Sequence, residues 1–107
     1  MKMHEAVGVL DALAQECRLA IFRFLVRCGP AGVPAGRIAE ALQVHAATLS
    51  FHLSALRQAR LVVSRRESRS IIYSADFERM AELIGYLTEN CCTLPAIPKE
   101  EIAHEHP

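Results

Sequence analysis

Leu49, Leu53 and Leu56 recur at spacings of four and three, which lays an apolar stripe along a helix over residues 46 to 60. The opposite face of that helix carries Ala47, Thr48, Phe51, Ser54 and Gln58, and no charge before Arg57. The solvated back of an amphipathic helix is ordinarily charged and polar. This face is small, uncharged and in one place aromatic, which suits contact with something other than water. A DNA groove fits it best.

The rest of the pattern places this helix in a frame. Met3, Val7, Leu10 and Ala14, spaced 4-3-4, predict a short amphipathic first helix. Residues 17–28 are apolar nearly all round, so the second helix is central to the core, and Gly29, Pro30 and Gly32 stop it. Val33 is held extended by Pro34. A third helix over residues 35–42 turns Ile38, Ala39 and Leu42 inward, and Gln43, Val44 and His45 connect it to the fourth. The period then changes to two, predicting strands over residues 61–66 and 69–74 around a tight turn at Glu67 and Ser68. Asp76 is placed to N-cap a fifth helix, in which Phe77, Met80, Ile84, Leu87 and Cys91 form a 3-4-3-4 seam suited to a partner helix. The expectation is a mainly α fold with a small β-hairpin, α-α-α-α-β-β-α, that is, a winged helix-turn-helix over residues 1–92. A Pro-containing polar tail over residues 93–107 follows.

Composition adds a second copy and a phosphate partner. A chain of 107 residues is one domain of modest core, and its 51% apolar content exceeds the ordinary share. A homodimer through the first and last helices would cover the surplus. Formal net charge is zero, but it is unevenly spread. Residues 41–75 hold five Arg against one Glu, a balance of +4, whereas residues 76–107 hold seven acids against two bases, a balance of −5. A local basic patch is enough to neutralise phosphates. The beginning of the chain shows no long apolar run and no cleavage pattern, so neither secretion nor a membrane span is expected. The four Cys then read as thiols of a reducing cytoplasm. The thiols that adjoin do so directly, not as Cys-x-x-Cys, and no βαβ alternation occurs, so an enzyme is not expected.

Four segments in order resemble the ArsR-type (ArsR/SmtB) winged-helix metalloregulatory repressors: ALAQECRLAIFRFL at 12–25, RIAEAL at 37–42, ATLSFHLSALRQARLV at 47–62 and SRRESRSIIY at 64–73. The resemblance implies a dimeric repressor of double-stranded operator DNA that an ion releases. It also exposes departures. Pro34 and Gly36 stand where arsenic and cadmium sensors of the best-known subgroup carry Cys-x-Cys. No His occurs between Leu53 and Ala103 to serve as a ligand on the fifth helix, as in the family's zinc and nickel sensors. The turn residue Gln43 and the wing residue Ser68 replace the usual glycines. What remains is similar to an arsenic-responsive subgroup with cysteines at the end of the last helix, here Cys91 and Cys92.

The site residues expected on these grounds fall into two groups. Thr48, Ser50 and His52 offer donors and acceptors to base edges, and Phe51 offers an apolar contact to a thymine methyl. His52 has the alternative of satisfying a backbone group at the core boundary, and Phe51 that of touching protein. Arg57, Arg65, Arg66 and Arg69 are expected on phosphates, with Arg60 near the apolar face and free to pair internally. The Cys91 and Cys92 thiols suit a trivalent arsenic species, inorganic or organic, as inducer, with no organic cofactor. Adjacent side chains on an ideal helix point about 100° apart, so the pair grips one atom only where the helix frays. Cys17 is a possible third ligand, and Cys28, His104 and His106 are weaker alternatives. Sensing of oxidant, of persulfide or of another thiophilic metal through the same thiols is the competing input.

Overall fold

In the computed structural model, which describes residues 1–96, eight elements follow one another. They are α1 (Met3–Leu13), α2 (Glu16–Cys28), β1 (Val33–Pro34), α3 (Ala35–Leu42), α4 (Ala46–Gln58), β2 (Val62–Glu67), β3 (Ser70–Ala75) and α5 (Phe77–Thr88). Ile21 and Leu25 of α2 are fully buried at the centre, against Ile38 of α3, Leu49, Leu53 and Leu56 of α4, and Leu61 just before β2. Truncating any of these leucines to Ala costs about 2–5 kcal/mol, so they fix how α4 is held.

Local chemistry sets the boundaries. The Gln15 side chain accepts the Arg18 backbone N–H at 2.8 Å and opens α2, and Gly29 closes it at φ +78°. Gly32, at φ +69°, lets the chain pass against β3, where a Cβ would lie 2.5 Å from the Tyr73 carbonyl oxygen. Gln43 takes the left-handed conformation at the end of α3 (φ +53°), where its N–H reaches the Ala39 carbonyl. A side chain there is strained relative to glycine. Asp76 caps α5, its carboxylate accepting the Arg79 N–H at 3.0 Å.

Three features differ from the sequence expectation. Val33 and Pro34 pair with Tyr73 and Ile72, so the hairpin is the larger part of a three-stranded antiparallel sheet in the order β1-β3-β2. A two-residue strand is too short to show a period. The wing turn sits at Ser68 and Arg69, one residue later than expected, because Glu67 still pairs with Ser70 and Ser68 supplies the positive φ (+55°) a tight hairpin requires. Finally, α5 ends at Thr88, before Cys91.

Two of the amphipathic helices have a second apolar face. On α1 the core takes Ala6, Val9 and Ala12, leaving the stripe of Met3, Val7 and Leu10 exposed. On α5, Phe77 and Met80 pack on the core, whereas Ile84 and Leu87 are more than half exposed (54% and 58%). No helix among the described residues is long and apolar enough to cross a membrane.

Candidate nucleic-acid interface and thiol pair

Because Leu49, Leu53 and Leu56 fix its inner face, α4 presents Thr48, Ser50, Phe51, Ser54 and Arg57 to solvent. Phe51 is 67% exposed, an unusual position for a phenyl ring on a monomer surface. His52 is not on this face. It follows Leu49 by three and precedes Leu56 by four, so it lies on the buried side at 8% exposure. Its ring meets that of Phe51 edge-on, with centroids 5.5 Å apart, and its Nδ1 has no hydrogen-bond partner. Expected at base edges, His52 instead supports the base of the Phe51 ring. The i, i+3, i+4 spacing carried that information in the sequence.

The wing arginines divide. Arg65 is occupied by the protein itself. Its Nε donates to Glu67 Oε2 at 2.7 Å, its Nη2 to the Ala31 carbonyl at 2.6 Å and its Nη1 to the Pro30 carbonyl at 3.5 Å. It therefore clasps β2 to the loop between α2 and β1, with its side chain still partly exposed. Glu67 sits within reach along the strand, but the loop lies more than thirty residues away in sequence, so only the fold brings it there. Arg66 and Arg69 are exposed and have no ion-pair partner among the described residues. Arg57 and Arg60 line a groove that runs with Ser54 and Ser64 from the end of α4 to the root of the wing. Arg60 makes no ion pair among the described residues and is exposed, at φ +62°. Arg57 and Arg60 thus lie in a groove beside the uncharged face of α4, and Arg66 and Arg69 stand further along the wing.

The chain beyond α5 turns sharply. Thr88 donates its hydroxyl to the Ile84 carbonyl at 2.8 Å, and Asn90 (φ +59°) and Cys92 (φ +66°) adopt left-handed backbone. Off the helix, the two side chains need not diverge, and the Sγ atoms of Cys91 and Cys92 lie 2.9 Å apart, both exposed. The neighbouring Cys92 thiol, hydrogen-bonded to Cys91, pushes the Cys91 pKa up, and desolvation adds to it. Cys17 is half-buried against the core and Cys28 half-buried at the end of α2. Among the described residues no cluster of three His, Cys, Asp or Glu forms, so Cys17 does not complete a three-ligand site within one chain. His104 and His106 lie outside the described residues.

A family model described as a helix-turn-helix domain matches residues 13–65. The nodulation protein NolR of Rhizobium meliloti is 33% identical over 84 residues, covering 78% of this chain and 66% of that protein. The HTH-type transcriptional regulator NmtR of Mycobacterium tuberculosis is 38% identical over 80 residues, covering 75% and 64%. The chain therefore spans just under two thirds of the length of these relatives. Among solved structures, an ArsR-like transcriptional regulator from Rhodococcus superposes with a TM-score of 0.70 at 28% identity, over 95% of this chain and 82% of that one. A homodimeric winged helix-turn-helix DNA-binding domain from Mycobacterium bovis superposes with a TM-score of 0.67 at 28% identity, over 98% and 88%.

Proposed function

Because the chain belongs to the ArsR family of winged-helix DNA-binding transcriptional regulators, we propose that it acts as a homodimeric repressor that a trivalent arsenic species releases from its operator. Two copies join through the exposed stripes of α1 and α5, and the two α4 helices enter successive major grooves roughly 34–36 Å apart. Thr48, Ser50 and Phe51 meet base edges, while Arg57, Arg66 and Arg69 meet phosphates. A metal or metalloid ion as input accords with the family.

The observation that carries the inducer is the Cys91–Cys92 pair, with its Sγ atoms 2.9 Å apart and open to solvent. A pair of sulfurs suits an arsenic(III) with one carbon substituent, in which the carbon fills the third position. Inorganic arsenite needs a further donor, which water, a small thiol or Cys17 of a second copy supplies. Closing an arsenic atom onto both sulfurs reshapes the chain directly after α5, and through that helix alters the spacing of the two α4 helices. A hundredfold loss of operator occupancy requires a differential affinity of about 2.7 kcal/mol.

The experiment is a release titration on a palindromic duplex selected by the protein from random sequence, followed by fluorescence anisotropy. Phenylarsine oxide, arsenite, cadmium, zinc and hydrogen peroxide form its separate arms. Arsenic(III) is expected to release the wild type, whereas the Cys91→Ser/Cys92→Ser double variant binds the duplex equally well and does not respond. Release of that double variant by arsenic would place the site elsewhere. Release of the wild type by peroxide alone would assign the input to oxidation.

A further inference from the structure

A cavity of about 390 Å³ opens where α1, α2, α4 and α5 meet. Of the residues on the α4 face assigned above to DNA only Gln58, at the end of that helix, reaches it, and neither Cys91 nor Cys92 does. Two guanidinium groups do. Arg79 of α5 is only 6% exposed; its Nη1 stands 3.5 Å from Glu5 Oε2, and its Nε has no hydrogen-bond partner among the described residues. Arg18 of α2 lines the same cavity, and its Nε is likewise buried and without a partner among the described residues. Among the described residues Glu5 pairs with Arg79 and accepts the Lys2 backbone N–H at 2.9 Å, but does not pair with Arg18. Asp11 is an exposed wall residue that forms no ion pair with either.

A guanidinium carries five donors in a planar fork matched to a carboxylate, and burying such a charge with one long ion pair is costly. Both arginines line one cavity, where Arg79 has a single long ion pair and Arg18 has none among the described residues, so an anion held there would gain from both. The rest of the wall sets the small apolar Val9, Ala12, Ala55 and Ala59 beside the polar His4, Asp11 and Gln58. We infer that this cavity binds a small organic carboxylate, its carboxyl group bridging Arg18 and Arg79 and its apolar part lying against Val9, Ala12, Ala55 and Ala59. Cavities of this order hold small molecules in other proteins. The residues lining it on α1 follow those of the exposed Met3, Val7 and Leu10 stripe by one or two positions, about 100° or 200° round the helix, so a second copy covering that stripe leaves the cavity open. Gln58 and Ala59, at the end of α4, also face it. A bound carboxylate therefore ties the end of the DNA-reading helix to α2 and α5, and forms a second input independent of the thiols.

The test is calorimetric titration of the full chain with benzoate, butyrate and inorganic phosphate at matched ionic strength, alongside thermal unfolding. A carboxylate is expected to bind saturably and raise the unfolding temperature, whereas phosphate is not. Arg18→Gln should weaken carboxylate binding by roughly tenfold or more through loss of a charge-assisted hydrogen bond. Gly8→Leu places a side chain into the open space above a helical glycine. It should abolish binding while leaving the protein folded, since Leu is the better helix former. No saturable binding of either carboxylate, equal binding of phosphate, or unchanged binding in both variants would overturn the inference.

Discussion

Arg65 and Arg69 stand on one hairpin, yet their side chains meet different partners, and salt dependence separates them. Arg69 is exposed and unpaired among the described residues, so Arg69→Gln should weaken DNA binding uniformly across sequences and reduce the slope of log affinity against log salt by about 1. Arg65→Gln instead releases the clasp on the Pro30 and Ala31 carbonyls. It should lower affinity through a misplaced wing with the slope preserved. A slope reduced equally by both variants would show that Arg65 reaches phosphate after all. The thiols give a second residue-scale prediction. With its pKa raised by the Cys92 thiol, Cys91 is less ionised at neutral pH than an ordinary cysteine. Phenylarsine oxide condenses with two protonated thiols, forming two As–S bonds and releasing water, with no net change in free protons. Cadmium must expel the thiol protons. Between pH 6 and 8, affinity for the arsenical should therefore stay nearly flat while that for cadmium rises steeply, as measured by competition with a chromophoric chelator.

At the scale of elements, α1 and α5 have the same design. Each spends one face on the core and leaves a second apolar face uncovered, Met3, Val7 and Leu10 on one and Ile84 and Leu87 on the other. Fully burying a Leu side chain contributes about 1.5–3 kcal/mol. A two-fold interface contains each position twice, so Leu87→Glu should raise the dimer dissociation constant by at least a hundredfold or so. Sedimentation should then show a folded monomer, because Leu87 makes no part of the monomer core. A dimer of undiminished strength would move the interface off α5. The 3-4-3-4 seam in the sequence found these positions but not their division of labour. Phe77 and Met80 have the same spacing as Ile84 and Leu87, and periodicity does not distinguish the chain's own core from a partner's.

For the molecule as a whole, the proposal needs two α4 helices held at a fixed separation. Inserting about five base pairs between half-sites turns one of them roughly half a helical turn away. Affinity should then fall toward that for non-specific DNA, whereas about ten inserted pairs move the half-site along the groove without rotating it. Gel-shift titration of a spacer series checks this, and an affinity indifferent to spacing would mean that each copy binds alone. The polarity of the chain fits such a complex, with +4 over residues 41–75 set against −5 over residues 76–107. That imbalance was already visible along the chain, because charge sums require no geometry.

Short-range rules fixed much of this protein in advance. Leucine spacing set the inner and outer faces of α4, Asp76 set the start of α5, and the change from period four to period two located the wing. These depend on residues within a few positions of one another, where backbone geometry alone decides. The tertiary structure decided what depends on residues far apart in the chain or on broken regularity. Arg65 meets the loop at Pro30 because the sheet carries that loop beside it. The Cys91 and Cys92 thiols converged because α5 ended at Thr88 and the backbone then turned left-handed. Arg18 and Arg79, some sixty residues apart, came to line one cavity. No periodicity encodes such meetings, since they arise only when the helices that carry them pack on a common core.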